Sequence, residues 1–231
     1  MMEMEYILMK RSFKEYILRL LFLLVGLVIA HLGVTLFLLT DLGADPFNVL
    51  IQGIFRTLGP YIPGSTHGYT HASVCILIML ILVVIDKGYV KAGTLVCMAF
   101  GGPIIDVFTL FLRHLVHPGS PFAVRLLTLA LGCIILAFGM TIVIKSDAGT
   151  GPNDLIAIVL SEKLSKPFGP VRILVDVCFV ASGFLMGSAV GIGTIISAFL
   201  VGPVADRFLP YSEKLIHTLL QILKAEIRSE S

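Results

Sequence analysis

Residues 41–50 read DLGADPFNVL and residues 147–156 read DAGTGPNDLI, so the pattern Asp-x-Gly-x-x-Pro occurs twice, 147 − 41 = 106 residues apart. Each copy closes a long apolar run, Leu20 to Leu39 before the first and Leu126 to Ile144 before the second. At about 1.5 Å of helical rise per residue, runs of this length cross a ~30 Å hydrocarbon core. Asp, Gly and Pro directly afterwards are the residues that stop one helix and start another.

The rest of the chain agrees with a membrane setting. Its 231 residues are 57% hydrophobic and 14% charged, with no Trp and a mean hydropathy of +0.98, whereas soluble domains carry roughly 25% charged residues. Further apolar runs extend over Ala72 to Ile85, Ala92 to Leu112, Ile173 to Met186 and Gly191 to Val204, making six strong candidates. The basic cluster Lys10, Arg11, Lys14 and Arg19 precedes a span too long for a signal-peptide core, so the first helix is expected to stay in the protein. A net charge of +2 gives no reason to expect nucleic-acid binding. The cysteines at 75, 97, 133 and 178 all lie in apolar runs without Cys-x-x-Cys spacing and read as small packing residues.

Alignment of RLLFLLVGLVIAHLGVTLFLLTDLGADPFN with RLLTLALGCIILAFGMTIVIKSDAGTGPND needs no gap. It pairs Arg19 with Arg125, Gly26 with Gly132, Gly33 with Gly139, Thr35 with Thr141, Asp41 with Asp147, Gly43 with Gly149 and Pro46 with Pro152. Later, GTLVCMAFGGPIID from Gly93 matches GTIISAFLVGPVAD from Gly193. These matches predict two internal repeats, 19–117 and 118–209, flanked by amphipathic segments 1–18 and 210–231 on the cytoplasmic side. The expected fold is all-α: a polytopic transmembrane bundle of six long helices and two short ones. Each short segment, Pro46 to Leu58 and Pro152 to Ser165, is only about 20 Å long as a helix. Either both cross, giving eight crossings and parallel repeats, or both re-enter, giving six crossings and inverted repeats. With the basic N-terminus in the cytoplasm, three Lys or Arg fall outside in either topology, Lys87, Lys91 and Lys145 with eight crossings or Arg56, Arg113 and Arg125 with six. Their count therefore does not choose, and both topologies place both termini in the cytoplasm.

Gly43, Pro46, Gly149, Gly151 and Pro152 are the helix-break residues. Helix-start chemistry explains part of the motif, since Pro is tolerated at a first helical position and Asp45 is a favoured cap. The functional reading is that two short helices converge on a polar site for a small solute or coupling ion. Its candidate residues are Asp41, Asp45, Asn48, Gln52, Asp147, Asn153 and Asp154, because a carboxylate held inside a membrane is costly. Arg172 and Asp176, at i and i+4 in an apolar run, form an internal ion pair or serve a substrate or proton relay. Asp106 and Asp206 follow Gly-Pro sequences expected to kink their helices, and Asp106 is the better candidate. His67 and His71 lack the Glu of a His-Glu-x-x-His site, so no metal is expected. His31, alone in its helix, reads as a packing residue. Nucleophile elbows, Walker loops and dinucleotide fingerprints are absent, so neither an enzyme nor a cofactor is expected.

GADPFNVLIQGI, GTLVCMAFGGPIID, GTGPNDLIAIVL and VGIGTIISAFLVGP resemble the bacterial membrane proteins of the YczE/YyaS/YitT type over roughly Arg19 to Asp206. That resemblance implies a bacterial inner-membrane protein, an internal duplication and a transporter role. Such proteins show Gly-x-Gly-Pro-x-Asp at both breaks. The second copy keeps it as Gly149, Gly151, Pro152 and Asp154, while the first has Asp45 in place of Gly and Asn48 in place of Asp. The expected partners are the lipid bilayer and a small molecule or ion, with a second copy or a partner protein as further options. The rival reading is a membrane accessory protein that positions a partner complex.

Overall fold

The structure is a computed structural model that describes residues 13–85 and 88–229, with side chains from Lys14 to Ile222. Most of the expected N-terminal segment, residues 1–12, lies outside the described residues. Among the described residues the chain forms eight α-helices and one 3-10 turn and no strand. They are α1 (Phe13–Leu39), α2 (Pro46–Leu58), α3 (His67–Ile85), α4 (Ala92–Leu112), α5 (Phe122–Ser146), α6 (Pro152–Leu164), α7 (Phe168–Leu185) and α8 (Ile192–Ser229). Six of them, all but α2 and α6, are long and apolar enough to cross a membrane.

The four glycines that the alignment pairs all lie on the contact between α1 and α5. A Cβ on Gly33 would stand 2.5 Å from the Gly132 carbonyl oxygen, and one on Gly139 would stand 2.7 Å from that of Gly26. Gly26 therefore meets Gly139 while Gly33 meets Gly132, so the two helices run antiparallel with their backbones touching. Small residues permit such close approach, and the dispersion and weak hydrogen bonding it brings are the main attraction between helices in lipid. Around this seam, Leu129, Cys133, Ala137 and Met140 of α5 build the principal core with Phe168 and Val175 of α7 and Val201 and Ala205 of α8.

The antiparallel seam gives the bundle two ends. At the near end α1 begins and α5 stops: Arg19 donates to the carbonyl of Ser146, and the Gly93 amide, opening α4, donates to Ala148 O at 2.9 Å. At the far end α1 stops and α5 begins: Arg125 donates to the carbonyls of Thr40 and Asp41, and the Gly193 amide, opening α8, donates to Leu42 O at 2.8 Å. Arg19 and Arg125 thus serve equivalent helix ends, where a cation complements the unpaired carbonyls.

The short helices do not traverse the bundle. The chain leaves α1 at the far end, α2 starts beside the middle of α7, where Phe47 contacts Phe179, and it ends back at the far end, where Arg56 donates to the Gly187 carbonyl. α6 likewise starts beside α7, through Asp154 and Arg172, and ends at the near end, where Tyr89 donates to Glu162. Each short helix thus runs from partway along α7 back to the end of the bundle from which the chain entered it.

α8 does not stop at residue 209 but continues to Ser229 through Pro203 and Pro210. Ser212, Ile216 and Leu220 are buried against α1 and α5, and Thr141 and Ser212 share a 2.7 Å hydrogen bond. The segment from 210 onward is therefore bundle helix up to Leu220, not a separate surface element.

Candidate functional site

Two kinds of residue occupy the Asp-x-Gly-x-x-Pro breaks, and only one kind reaches the interior. Asp41 and Asp147 terminate α1 and α5 in the left-handed region, at φ 49° and 57°. They sit at opposite ends of the bundle. Asp147 pairs with Lys91 and approaches Arg19; the backbone carbonyl of Asp41 accepts from Arg125. Both are helix-end residues in this geometry. Gly43 and Gly149 follow at φ 144° and 138°, and a Cβ on Gly149 would stand 2.4 Å from the Thr94 amide nitrogen. Glycine is required there both for the backbone angle and for the close approach of α4.

After each break the chain turns inward and starts a short helix. Asp45 caps α2: it accepts from the Asn48 amide at 3.1 Å and from the Asn48 side chain at 2.5 Å. The departure from the second copy, Asp45 and Asn48 for Gly151 and Asp154, therefore makes a self-contained pair at the helix start. In α6 the carboxylate moves to the first turn, where Asp154 accepts from Asn153 at 3.1 Å and from Arg172 at 2.5 Å. Arg172 donates its Nε to Asp176 Oδ2 at 2.9 Å, and the Nη1 that donates to Asp154 also faces the Met140 sulfur.

This cluster is buried: Arg172 is 7% exposed and Asp176 1%. Asp176 is the ninth of the eighteen residues of α7, about 12 Å from its start at a rise of ~1.5 Å per residue. Both Asp154 and Asp45 are close enough to act on Asp176 electrostatically. The carboxylates at the starts of the two short helices therefore flank a third carboxylate halfway along α7. Helix N-termini carry partial positive charge, and Asp45 and Asp154 each stand at one. Among the described residues, the hydrogen-bond donor to Asp176, in mid-helix, is Arg172.

Among the other candidates, Gln52 lies toward the far end and accepts from Ser188 at 2.7 Å. Asp106 is exposed on α4 and does not join the cluster. Asp206 lies against the start of α7, where Gly169 makes room for its carboxylate. Ring contacts join His67 to Phe55 and His71 to Phe47. Among the described residues no group of three or more His, Cys, Asp and Glu is arranged to hold a metal ion.

His31, expected to be a packing residue, is half-buried between α1 and α4. Its Nδ1 is 2.8 Å from the Leu27 carbonyl, its Nε2 fills the space left by Gly101, and Asp154 acts on it electrostatically. The available signal was an ionisable side chain standing alone in an apolar span. Met140 carried no signal, because its role comes only from the α5–α7 packing. A cavity of about 350 Å³ opens at the near end beside Lys91, Asp147, Thr150 and Glu162, and it reaches Leu155, the neighbour of Asp154.

Residues 17–210 match a protein family described as a family of unknown function, DUF6198. The chain belongs to this family. It is 26% identical over 205 residues to the uncharacterised membrane protein YczE of Bacillus subtilis (strain 168), covering 88% of this chain and 91% of that one. It is 20% identical over 190 residues to the uncharacterised protein YyaS of the same organism, covering 82% and 92%. The UPF0750 membrane protein YitT, also of B. subtilis, is 24% identical over 212 residues, covering 91% of this chain and 73% of its own. No solved structure matches. With six apolar helices and these relatives, the chain is a multi-pass membrane protein in contact with the lipid bilayer.

Proposed function

We propose that the chain is a secondary transporter or permease for a small solute, which it binds between the starts of α2 and α6 beside Asp176. One observation carries the reading: two short helices that do not cross bring their N-termini to a buried charged cluster on α7. Discontinuous helices of this kind are how transporters build polar sites inside a membrane, with irregular backbone tolerated because protein surrounds it. The antiparallel α1–α5 contact, with paired glycines crossing reciprocally, supports an inverted repeat, and rocking of one repeat against the other moves access from one end to the other. Arg56, Arg113 and Arg125 lie at or beyond the far end, while Arg19, Lys91, Lys145, Lys163 and Lys166 collect at the near end. By the positive-inside rule the near end is cytoplasmic, so both termini face the cytoplasm of a bacterial inner membrane.

The test is a thermal-shift screen of the purified protein against metabolites and ions, in parallel with Asp154→Asn and Asp176→Asn, because a ligand of the folded state raises its stability. A solute that stabilises the wild type and loses its effect in either variant supports the reading; transport of that solute in vesicles completes it. If nothing stabilises the wild type while both variants stay folded, the reading fails.

The second reading is an accessory scaffold that positions a partner complex through its cytoplasmic surface. The exposed apolar residues of α3 and α4, among them Leu80, Val84, Leu95 and Phe111, are those of lipid-facing spans and take no part in it. Recovery of a defined complex from cross-linked membranes, together with a failed solute screen, would support it.

A further inference from the structure

We propose that Asp176 is a proton site and that a proton is the coupling ion of the transport reading above, on which this inference rests. The observation is a charge surplus with an unused oxygen. Arg172 supplies one positive charge to two carboxylates, Asp154 and Asp176. No donor among the described residues reaches Oδ1 of Asp176, although that atom is buried and the residue is 1% exposed. A buried carboxylate oxygen without a donor is expensive to keep ionised, and a proton on it removes the surplus charge at a stroke.

The surroundings decide where that proton sits. Asp154, in the first turn of α6, has the helix N-terminus, Asn153 and the closer bond to Arg172. Asp45, the start of α2, is satisfied by Asn48. From α8, Asp206 faces Gly169 in the first turn of α7, about two helical turns before Asp176. His31 of α1 and Cys97 of α4 interact with Asp154, and His71 of α3 with Asp45. The two carboxylates that flank Asp176 thus each have their own donors. A metal cation is a poor alternative, since hard cations need several oxygen ligands and a single enclosed oxygen suits a proton. The near-end cavity is lined in part by Leu155, the residue after Asp154. In the step itself, a proton from water bonds to Oδ1 and is returned to water when the site opens to the other end.

The experiment is infrared difference spectroscopy of the full-length protein in nanodiscs, titrated from acid to alkaline pH in choline chloride with no solute present. It reads the carbonyl stretch of a protonated carboxyl, which is separate from the carboxylate bands. The expected result is a band at neutral pH that disappears in Asp176→Asn. In Asp154→Asn, where one negative charge is removed, the band should fade at a pH at least one unit lower than in the wild type. Should Asp176→Asn fail to fold, the Asp154→Asn displacement still decides. Absence of the neutral-pH band, its persistence in folded Asp176→Asn, or no displacement in Asp154→Asn overturns the proposal. So does loss of the band when sodium replaces choline at constant pH, which would make the site one for a metal cation. Because no solute is used, a failed solute screen and a failed proton assay are separate results.

Discussion

Arg172 reaches two carboxyl groups from a single guanidinium, and removing it takes the guanidinium donor from buried Asp176 and half-buried Asp154. Breaking a buried pair from one side typically costs about 3–5 kcal/mol, whereas replacing a complete ionic group by apolar residues is often neutral. Arg172→Met is therefore expected to lower stability by about 3–5 kcal/mol in denaturant unfolding of the detergent-solubilised protein, and adding Asp176→Leu to that variant should recover part of the loss. A glycine comparison tests the seam in the same way. A Cβ at Gly33 would lie 2.3 Å from the Leu136 amide nitrogen, while one at Gly102 meets nothing within 4 Å. Overpacking of this kind costs about 1–3 kcal/mol, so Gly33→Ala should lower the melting temperature measurably and Gly102→Ala should leave it in place. The i, i+4 pairing of Arg172 with Asp176 was legible from spacing alone, because an ionisable group in an apolar run needs a partner. That Arg172 links α7 to α6 was not, since the residues Asp154 and Arg172 are 18 apart in sequence.

At the level of single elements, α2 and α6 show how similar sequences make different sites. Both begin with Pro and run for 13 residues. In α2 the capping carboxylate of Asp45 satisfies the helix start, and Asn48 satisfies Asp45. In α6 the cap is Gly151, which offers no side chain, and the carboxylate one turn later is left for Arg172. Asp45→Ala should therefore cost about 1 kcal/mol of stability, the usual effect of losing an N-cap side chain, and a modest fall in melting temperature is the expected reading. The helix-start chemistry was legible in Asp-Pro and Gly-Pro. The inward turn of both helices was not, because length alone says that 13 residues are too few to cross and not which way they run.

For the molecule as a whole, the reciprocal Gly26–Gly139 and Gly33–Gly132 contacts tie topology to packing. If α1 and α5 cross in opposite directions, the chain between them makes an even number of crossings, namely α3 and α4, and α2 makes none. The loop after α2 and the loop after α3 must then lie on opposite sides, the first outside. Starting from a variant with Cys75, Cys97, Cys133 and Cys178 replaced by Ser, Ser65→Cys should react with a membrane-impermeant maleimide on intact cells. Gly88→Cys should react only after permeabilisation. The reverse pattern would mean eight crossings and would overturn the re-entrant arrangement.

The sequence by itself determined that this is a helical membrane protein, where its six long helices lie, and that its breaks fall at Asp-x-Gly-x-x-Pro. Each of these follows from local hydropathy and from the backbone preferences of Gly and Pro, which act over a few residues. Only the tertiary structure decided that Asp41 and Asp147 close helices at opposite ends while Asp45 and Asp154 flank Asp176. It also decided that the chain beyond residue 209 continues the bundle, through the burial of Ile216 and Leu220 against α1 and α5. Those outcomes depend on which helix faces pair, and in lipid that is set by close packing and hydrogen bonds between distant residues rather than by hydrophobicity.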